Sequence, residues 1–200
     1  MEDTRCSPYH NCKRVSRLQQ RRDHWKAGQR QGAEKWKPRM RFLVDGMLGG
    51  LARWLRILGQ DVRYDANTKD NELLRIAHEK NMILLTRDEE LYHRAIARKI
   101  PSALVLGETE EERLAQLAST FGVSLNVNMA ETKCPECGSD LKETPKSDVG
   151  VEVPQTSLNL YDQFWKCTDQ NCGKVYWVGR HWNRIRQTLE EAKKRASLEK

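Results

Sequence analysis

The chain has 200 residues, 38% of them hydrophobic, and a formal net charge of +7. That length holds one ordinary domain plus a small module. No window approaches membrane-spanning length, and the polar, basic N-terminus is not built like a secretory signal, so a soluble cytoplasmic protein without a membrane partner is expected. The charge is unevenly placed: residues 1–39 hold eleven Lys/Arg against four Asp/Glu, and the rest holds twenty-four of each. Any basic face in the folded part must therefore come from the distribution of charge and not from its sum.

Residues 1–39 lack helical or strand periodicity and read as a flexible basic leader, ordered at most on a partner. Trp25 and Trp36 stand among its cations, a pattern that can stack on RNA; the simpler reading is a solvated tail, or sequence upstream of a natural start at Met40. Cys6, His10, Cys12 and His24 match no ordinary metal spacing. From Arg41 the chain alternates short apolar runs with helical patterns, as successive β-α units do. Phe42 to Asp45 reads as a buried strand ending on a carboxylate. Gly46 and the Gly49-Gly50 pair supply turning freedom before a helix whose apolar face is Met47, Leu48, Leu51, Trp54, Leu55 and Leu58. Strands are expected at Asp61 to Tyr64, Met82 to Leu85, Ser102 to Leu106 and Ser124 to Val127. Helices are expected from Asp70 to Lys80, from Thr86-Arg87-Asp88 to Arg98, and from Thr109 to Phe121. With helical connections and no tight hairpins, the fold class is α/β with a mostly parallel sheet flanked by helices.

A second unit begins near Glu131. Cys134 and Cys137, followed by Gly138, form one close pair, and Cys167 and Cys172, followed by Gly173, another. Four thiolates in two such pairs satisfy tetrahedral Zn2+ with no open position, so a structural zinc ribbon is expected. Trp165, Tyr176, Trp177 and Trp182 crowd the second pair with Lys166, Lys174, Arg180, His181 and Arg184 between them. Interleaved rings and cations suit RNA, while the alternation through Val175, Tyr176 and Trp177 assigns Trp177 to the ribbon's interior. His181 is expected at the surface. The last stretch, from Trp182, reads as a charged helix.

Open α/β sheets build sites at the carboxyl ends of their strands. Asp45 and Asp88 follow predicted strands, Asp65 follows another, and Asp70 and Glu72 open a helix. Converging carboxylates repel unless a cation sits between them, and Mg2+ or Mn2+ answers that need. The same acids also serve as helix N-caps: Asp70 and Asp88 by position, Thr86 to Glu89 as a capping box, and Asp45 at the first helix. Arg53 and Arg87 sit where they can hold phosphates or simply face solvent; Arg56 is expected on a solvated helix face.

The run FLVDGMLGGLARWLRILGQDVRYD, the later LLTRDEEL, and the CPEC and CTDQNCGKVYWVGRHW segments resemble the Mut-seven C-terminal RNase family, a PIN-like nuclease domain joined to a zinc ribbon. The resemblance spans roughly residues 40 to 185. It implies a PIN-like sheet at 40–130, a ribbon at 131–181, a C-terminal helix at 182–200, an acidic Mg2+- or Mn2+-dependent centre, and RNA as substrate. Asp45 matches the acid closing the first strand and Asp88 the acid of the threonine-arginine-aspartate segment. Asp70 and Glu72 stand where the helix-borne acid belongs, with Asp65 in reserve. Late in the sheet only Glu108 and Glu110 are offered, at an ordinary helix start, so the metal site is expected to be sparse. Catalytic residues are thus Asp45, Asp70, Glu72 and Asp88, with Asp45 and Asp88 as metal ligands. Arg53, Arg87, Arg180, His181 and Trp182 are the RNA-binding set. The alternatives are a non-catalytic RNA-binding or ribosome-associated protein and, less economically, a protein-interaction module in which the acids are only caps.

Overall fold

The computed structural model describes residues 40–150 and 152–198. The leader expected at 1–39 lies outside the described residues. Four short strands, β1 (Arg41–Val44), β2 (Asp61–Tyr64), β3 (Ile83–Thr86) and β4 (Ser102–Leu104), pair in parallel in the order β2-β1-β3-β4. Helices α1 (Gly49–Ile57), α2 (Asp70–Glu79) and α3 (Glu89–Ala97) make the crossovers, and α4 (Glu110–Phe121) follows β4. From β1 the chain steps outward to β2, then crosses back over β1 to lay down β3. The gap between β1 and β3 is therefore the point where the strand order reverses, where such sheets open a crevice for ligands.

The period-two alternation of the strands sorts the core into two layers. Phe42, Val44 and Leu85 point to the face covered by α1 and α4, where Leu51, Leu55, Leu114 and Leu117 meet them. Leu43 and Leu84 point to the other face, onto Leu73, Leu74 and Ile76 of α2 and Leu91 and Ala95 of α3. These side chains are almost wholly buried, each stabilising the fold by roughly 1.5–3 kcal/mol. Phe42 and Phe121 add an edge-to-face pair with centroids 5.7 Å apart.

The cysteine-bearing segment builds an antiparallel sheet of β5 (Leu141–Thr144), β6 (Phe164–Cys167) and β7 (Val175–Tyr176), in the order β5-β6-β7. A short helix, α5 (Gln155–Leu160), lies between β5 and β6. Val149, Val153, Leu158 and Phe164 form its small core, with Val175 and Trp177 packed against it. The last helix, α6 (His181–Leu198), folds back along α4 and places Leu189 and Ala192 in the first core layer. Thr188 donates to Glu111 at 3.2 Å and Arg195 to Glu112 at 2.8 Å. No helix among the described residues is long and apolar enough to cross a membrane.

Two sequence expectations change. Ser124 to Val127 forms no strand: Val123 and Leu125 are buried in the α4 and α6 layer, so apolar spacing there records helix packing and not a sheet edge. Gly46, Gly49 and Gly50 are absent from the positive-φ glycines. They provide room instead: an added Cβ would lie 2.7 Å from the Ala66 carbonyl oxygen, 2.6 Å from the Tyr64 hydroxyl and 2.6 Å from a Glu110 oxygen, respectively.

Candidate functional site: an acidic strand edge beside a four-cysteine centre

Because β1 and β3 are neighbours in register, Val44 faces Leu85 and the residues just beyond them meet at the sheet's carboxyl edge. The Asp45 amide donates to the Leu85 carbonyl at 3.0 Å. The Thr86 hydroxyl donates to Asp45 Oδ2 at 2.7 Å and accepts the Asp88 amide at 2.9 Å. One fully buried hydroxyl thus ties both strand-end acids together. Asp88 Oδ1 accepts the Leu91 amide at 3.0 Å and caps α3, so its capping role is real and occupies one oxygen. Asp45 makes no side-chain cap bond. Among the described residues its carboxylate is held by Thr86 alone, and helix capping does not account for it.

Glu110 approaches the first turn of α1 from β4's side. It opens α4, and its carboxylate lies against Gly50 in that turn, where an added Cβ would displace it. Oε1 accepts from Arg113 at 3.0 Å, whereas Oε2 is buried with no hydrogen-bond partner. Burial raises the Glu110 carboxyl above its ordinary value, with Arg113 pulling the other way. The sequence reading passed Glu110 over as a plain helix start. The signal available was Gly50, whose missing side chain makes the space Glu110 fills.

The helix-borne acids are differently engaged. Asp70 accepts from Arg94 at 3.0 Å, and Glu72 takes a bidentate pair from Arg75 at 2.8 and 2.6 Å, which lowers its carboxyl. Asp65 Oδ1 closes a local turn onto the Asn67 amide at 3.0 Å. Among the described residues, the four cysteines are the one group of three or more potential metal ligands gathered within reach of a single ion. The structure therefore brings together Asp45 and Asp88 through Thr86, and does not gather Asp70 or Glu72 with them into a ready-made cage.

The cysteines do form such a group, with all four sulfurs within 4.8 Å of one another. Cys134 to Cys172 is 3.7 Å and Cys137 to Cys167 is 3.3 Å. Those separations are far beyond a disulfide bond, and sulfurs placed tetrahedrally about 2.3 Å from one zinc would lie about 3.8 Å apart. The donor set and its spacing fit Zn2+. Ser139, Asp169 and Lys174 direct backbone amides at Cys137, Cys167 and Cys172. Burial opposes the Cys137 thiolate, but the Ser139 hydrogen bonds bring its pKa down to about 7; burial pushes Cys167 well up. The Tyr176 hydroxyl lies 3.2 Å from Cys134 Sγ, and burial beside that thiol keeps the phenol protonated.

Arg56 corrects another expectation. It is not on a solvated face: it is 4% exposed, and its guanidinium donates to the Pro135 and Glu136 carbonyls at 3.0 and 2.6 Å. Neighbouring Arg53 is exposed and pairs with Glu136 at 3.3 Å, which Lys174 also approaches at 3.7 Å. Arg53, Arg56 and Glu136 border a cleft of about 310 Å³ that includes Gly49, Gly50 and Tyr64. Arg87 pairs with Glu108 at 3.0 Å. His181 and Trp182 line an apolar groove of about 260 Å³ with Tyr176, Trp177, Ile57 and Met129, and Arg180 stands exposed beside it.

Comparison with curated proteins and with solved structures returned no match. The model of one family, described as the Mut7-C RNAse domain, matches residues 40–189, a span that takes in the acidic edge, the cysteine centre and the first half of α6. The chain belongs to the Mut7-C RNAse domain family.

Proposed function

We propose that the protein is a divalent-metal-dependent ribonuclease that hydrolyses RNA phosphodiester bonds at the carboxyl edge of β1 and β3. The observation that carries this reading is the Thr86 hydroxyl, which joins Asp45 and Asp88 across the point where strand order reverses. Mg2+ is ordinarily held by one or two carboxylates with water completing the shell, so a site with few acids suffices. Asp45 and the second oxygen of Asp88 are hard oxygen donors of the kind Mg2+ or Mn2+ takes. An ion there supplies activation of water and neutralisation of charge at the phosphate. The chain's own residues orient the substrate: Arg53 and Arg87 offer planar forks to phosphate oxygens near the acidic edge. Trp182, His181 and Arg180 offer a ring and donors to the strand on the ribbon side. Zn2+ at the four cysteines is structural and leaves no open position for chemistry.

The test is incubation of single-stranded RNA with the full chain and added Mn2+. Cleavage that stops on chelation is expected; intact RNA under every divalent ion contradicts the reading. A second reading, RNA binding without cleavage, including binding to ribosomal RNA, is favoured by the arginine pairs that hold Asp70 and Glu72. Salt-sensitive binding with no cleavage in the same experiment supports that alternative.

A further inference from the structure

We infer that Arg56 is the positioning residue through which the cysteine-bound metal holds α1, and with it the acidic edge. The inference rests on the zinc reading of the four cysteines.

Arg56 belongs to the last turn of α1, the helix that begins four residues after Asp45. Its side chain leaves the parallel-sheet half of the molecule and enters the turn between Cys134 and Cys137. There Nη1 donates to the carbonyls of Pro135 and Glu136, the two residues that separate those cysteines, while Nη2 reaches the Val62 carbonyl at 3.4 Å. Gly138, at φ +85°, completes the turn directly against the guanidinium; an added Cβ would lie 3.0 Å from Arg56 Nε. The backbone doubles the connection. The Lys133 amide donates to the Arg56 carbonyl at 2.9 Å, and the Thr132 hydroxyl to the Ile57 carbonyl at 2.9 Å.

Two consequences follow from charge and burial. A zinc held by four thiolates carries net negative charge, and a buried guanidinium beside it offsets that charge as an outer-sphere partner does. In return, the metal fixes the turn whose carbonyls accept from Nη1. If the metal leaves and the turn opens, Arg56 loses both carbonyl acceptors and the cover that buries it, and the end of α1 loses its anchor. The end of α1 is thus stabilised by an ion bound nearly eighty residues further along the chain, and Gly50, at its other end, forms the wall on which Glu110 rests.

Hydrogen exchange of the zinc-loaded full chain, before and after chelation, tests this directly. Faster exchange of amides 49–57 on zinc removal is expected, alongside the ribbon's own. Arg56→Gln should release zinc to a competing chelator with about 10–100-fold lower affinity, the usual cost of losing an outer-sphere partner. If Arg56→Gln fails to fold, the wild-type exchange experiment still decides. A zinc-loaded wild type whose α1 exchange ignores chelation overturns this inference alone, as does an Arg56→Gln chain that folds and keeps zinc as tightly as the wild type. A wild type that binds no zinc overturns the zinc reading and this inference with it.

Discussion

The Thr86 hydroxyl donates to Asp45 at 2.7 Å and, through its oxygen, accepts the Asp88 amide at 2.9 Å. Thr86→Val keeps the shape and removes both bonds, leaving a buried amide without its acceptor. The cost should be about 1–3 kcal/mol, read from urea unfolding, and RNA cleavage should fall because Asp45 is no longer oriented. Thr86→Ser should restore most of both.

Glu110 provides a pH-dependent signature. Burial raises its folded carboxyl above the ordinary 4.5, so the folded state binds the proton more tightly than the unfolded chain. Stability is unaffected well below that value and falls as pH rises through the raised folded value. Glu110→Gln should therefore melt like wild type in acid and above it near neutrality, when no divalent ion is added. Parallel melting curves at all pH values would show that the carboxylate carries no burial penalty.

Zinc removal should unfold the ribbon. Its own core is only Val149, Val153, Leu158 and Phe164 with a few neighbours, too small to stand without a metal whose binding typically contributes about 10–16 kcal/mol in such modules. Cys134→Ser or strong chelation should shift tryptophan fluorescence, since Trp165 is buried in β6 and Trp177 packs on Phe164. Tyr176→Phe, which removes the hydroxyl 3.2 Å from Cys134, should leave the fold intact and weaken zinc retention by about tenfold.

Trp182→Ala and Arg180→Ala separate two kinds of RNA contact. Loss of the ring should cost about 1–3 kcal/mol of binding with little change in salt dependence. Loss of the cation should shallow the salt dependence by about 0.7 in slope for a single strand. Filter binding across salt concentrations distinguishes them.

The sequence made legible what depends on neighbours along the chain. Alternating apolar runs and helical periods located β1 to β4 and α1 to α4 within a residue or two, although the first strand closes at Val44 and the third at Thr86. The cysteine pairs foretold their own convergence. Alternation through Val175, Tyr176 and Trp177 assigned Trp177 to the ribbon core, where it packs with Val175; that Tyr176 reaches Cys134 is seen only in the structure. What stayed hidden depends on partners distant in sequence. Arg56 looks solvent-facing on any helical wheel until the turn at Pro135 and Glu136 covers it. Asp70 and Glu72 look available until Arg94 and Arg75 are seen to hold them. Glu110 reads as a first-turn acid of α4, and only its contact with Gly50 shows that it faces the first turn of α1.

The central claim, that the edge shared by Asp45 and Asp88 is a cation-dependent nuclease centre, is tested most directly by Asp45→Asn. Measured on single-stranded RNA with Mn2+, and with zinc content and melting temperature matched to wild type, its cleavage rate should fall by on the order of 10²–10³, as loss of a charge-stabilising group does. Equal rates for Asp45→Asn and wild type, both indifferent to chelation, would contradict it.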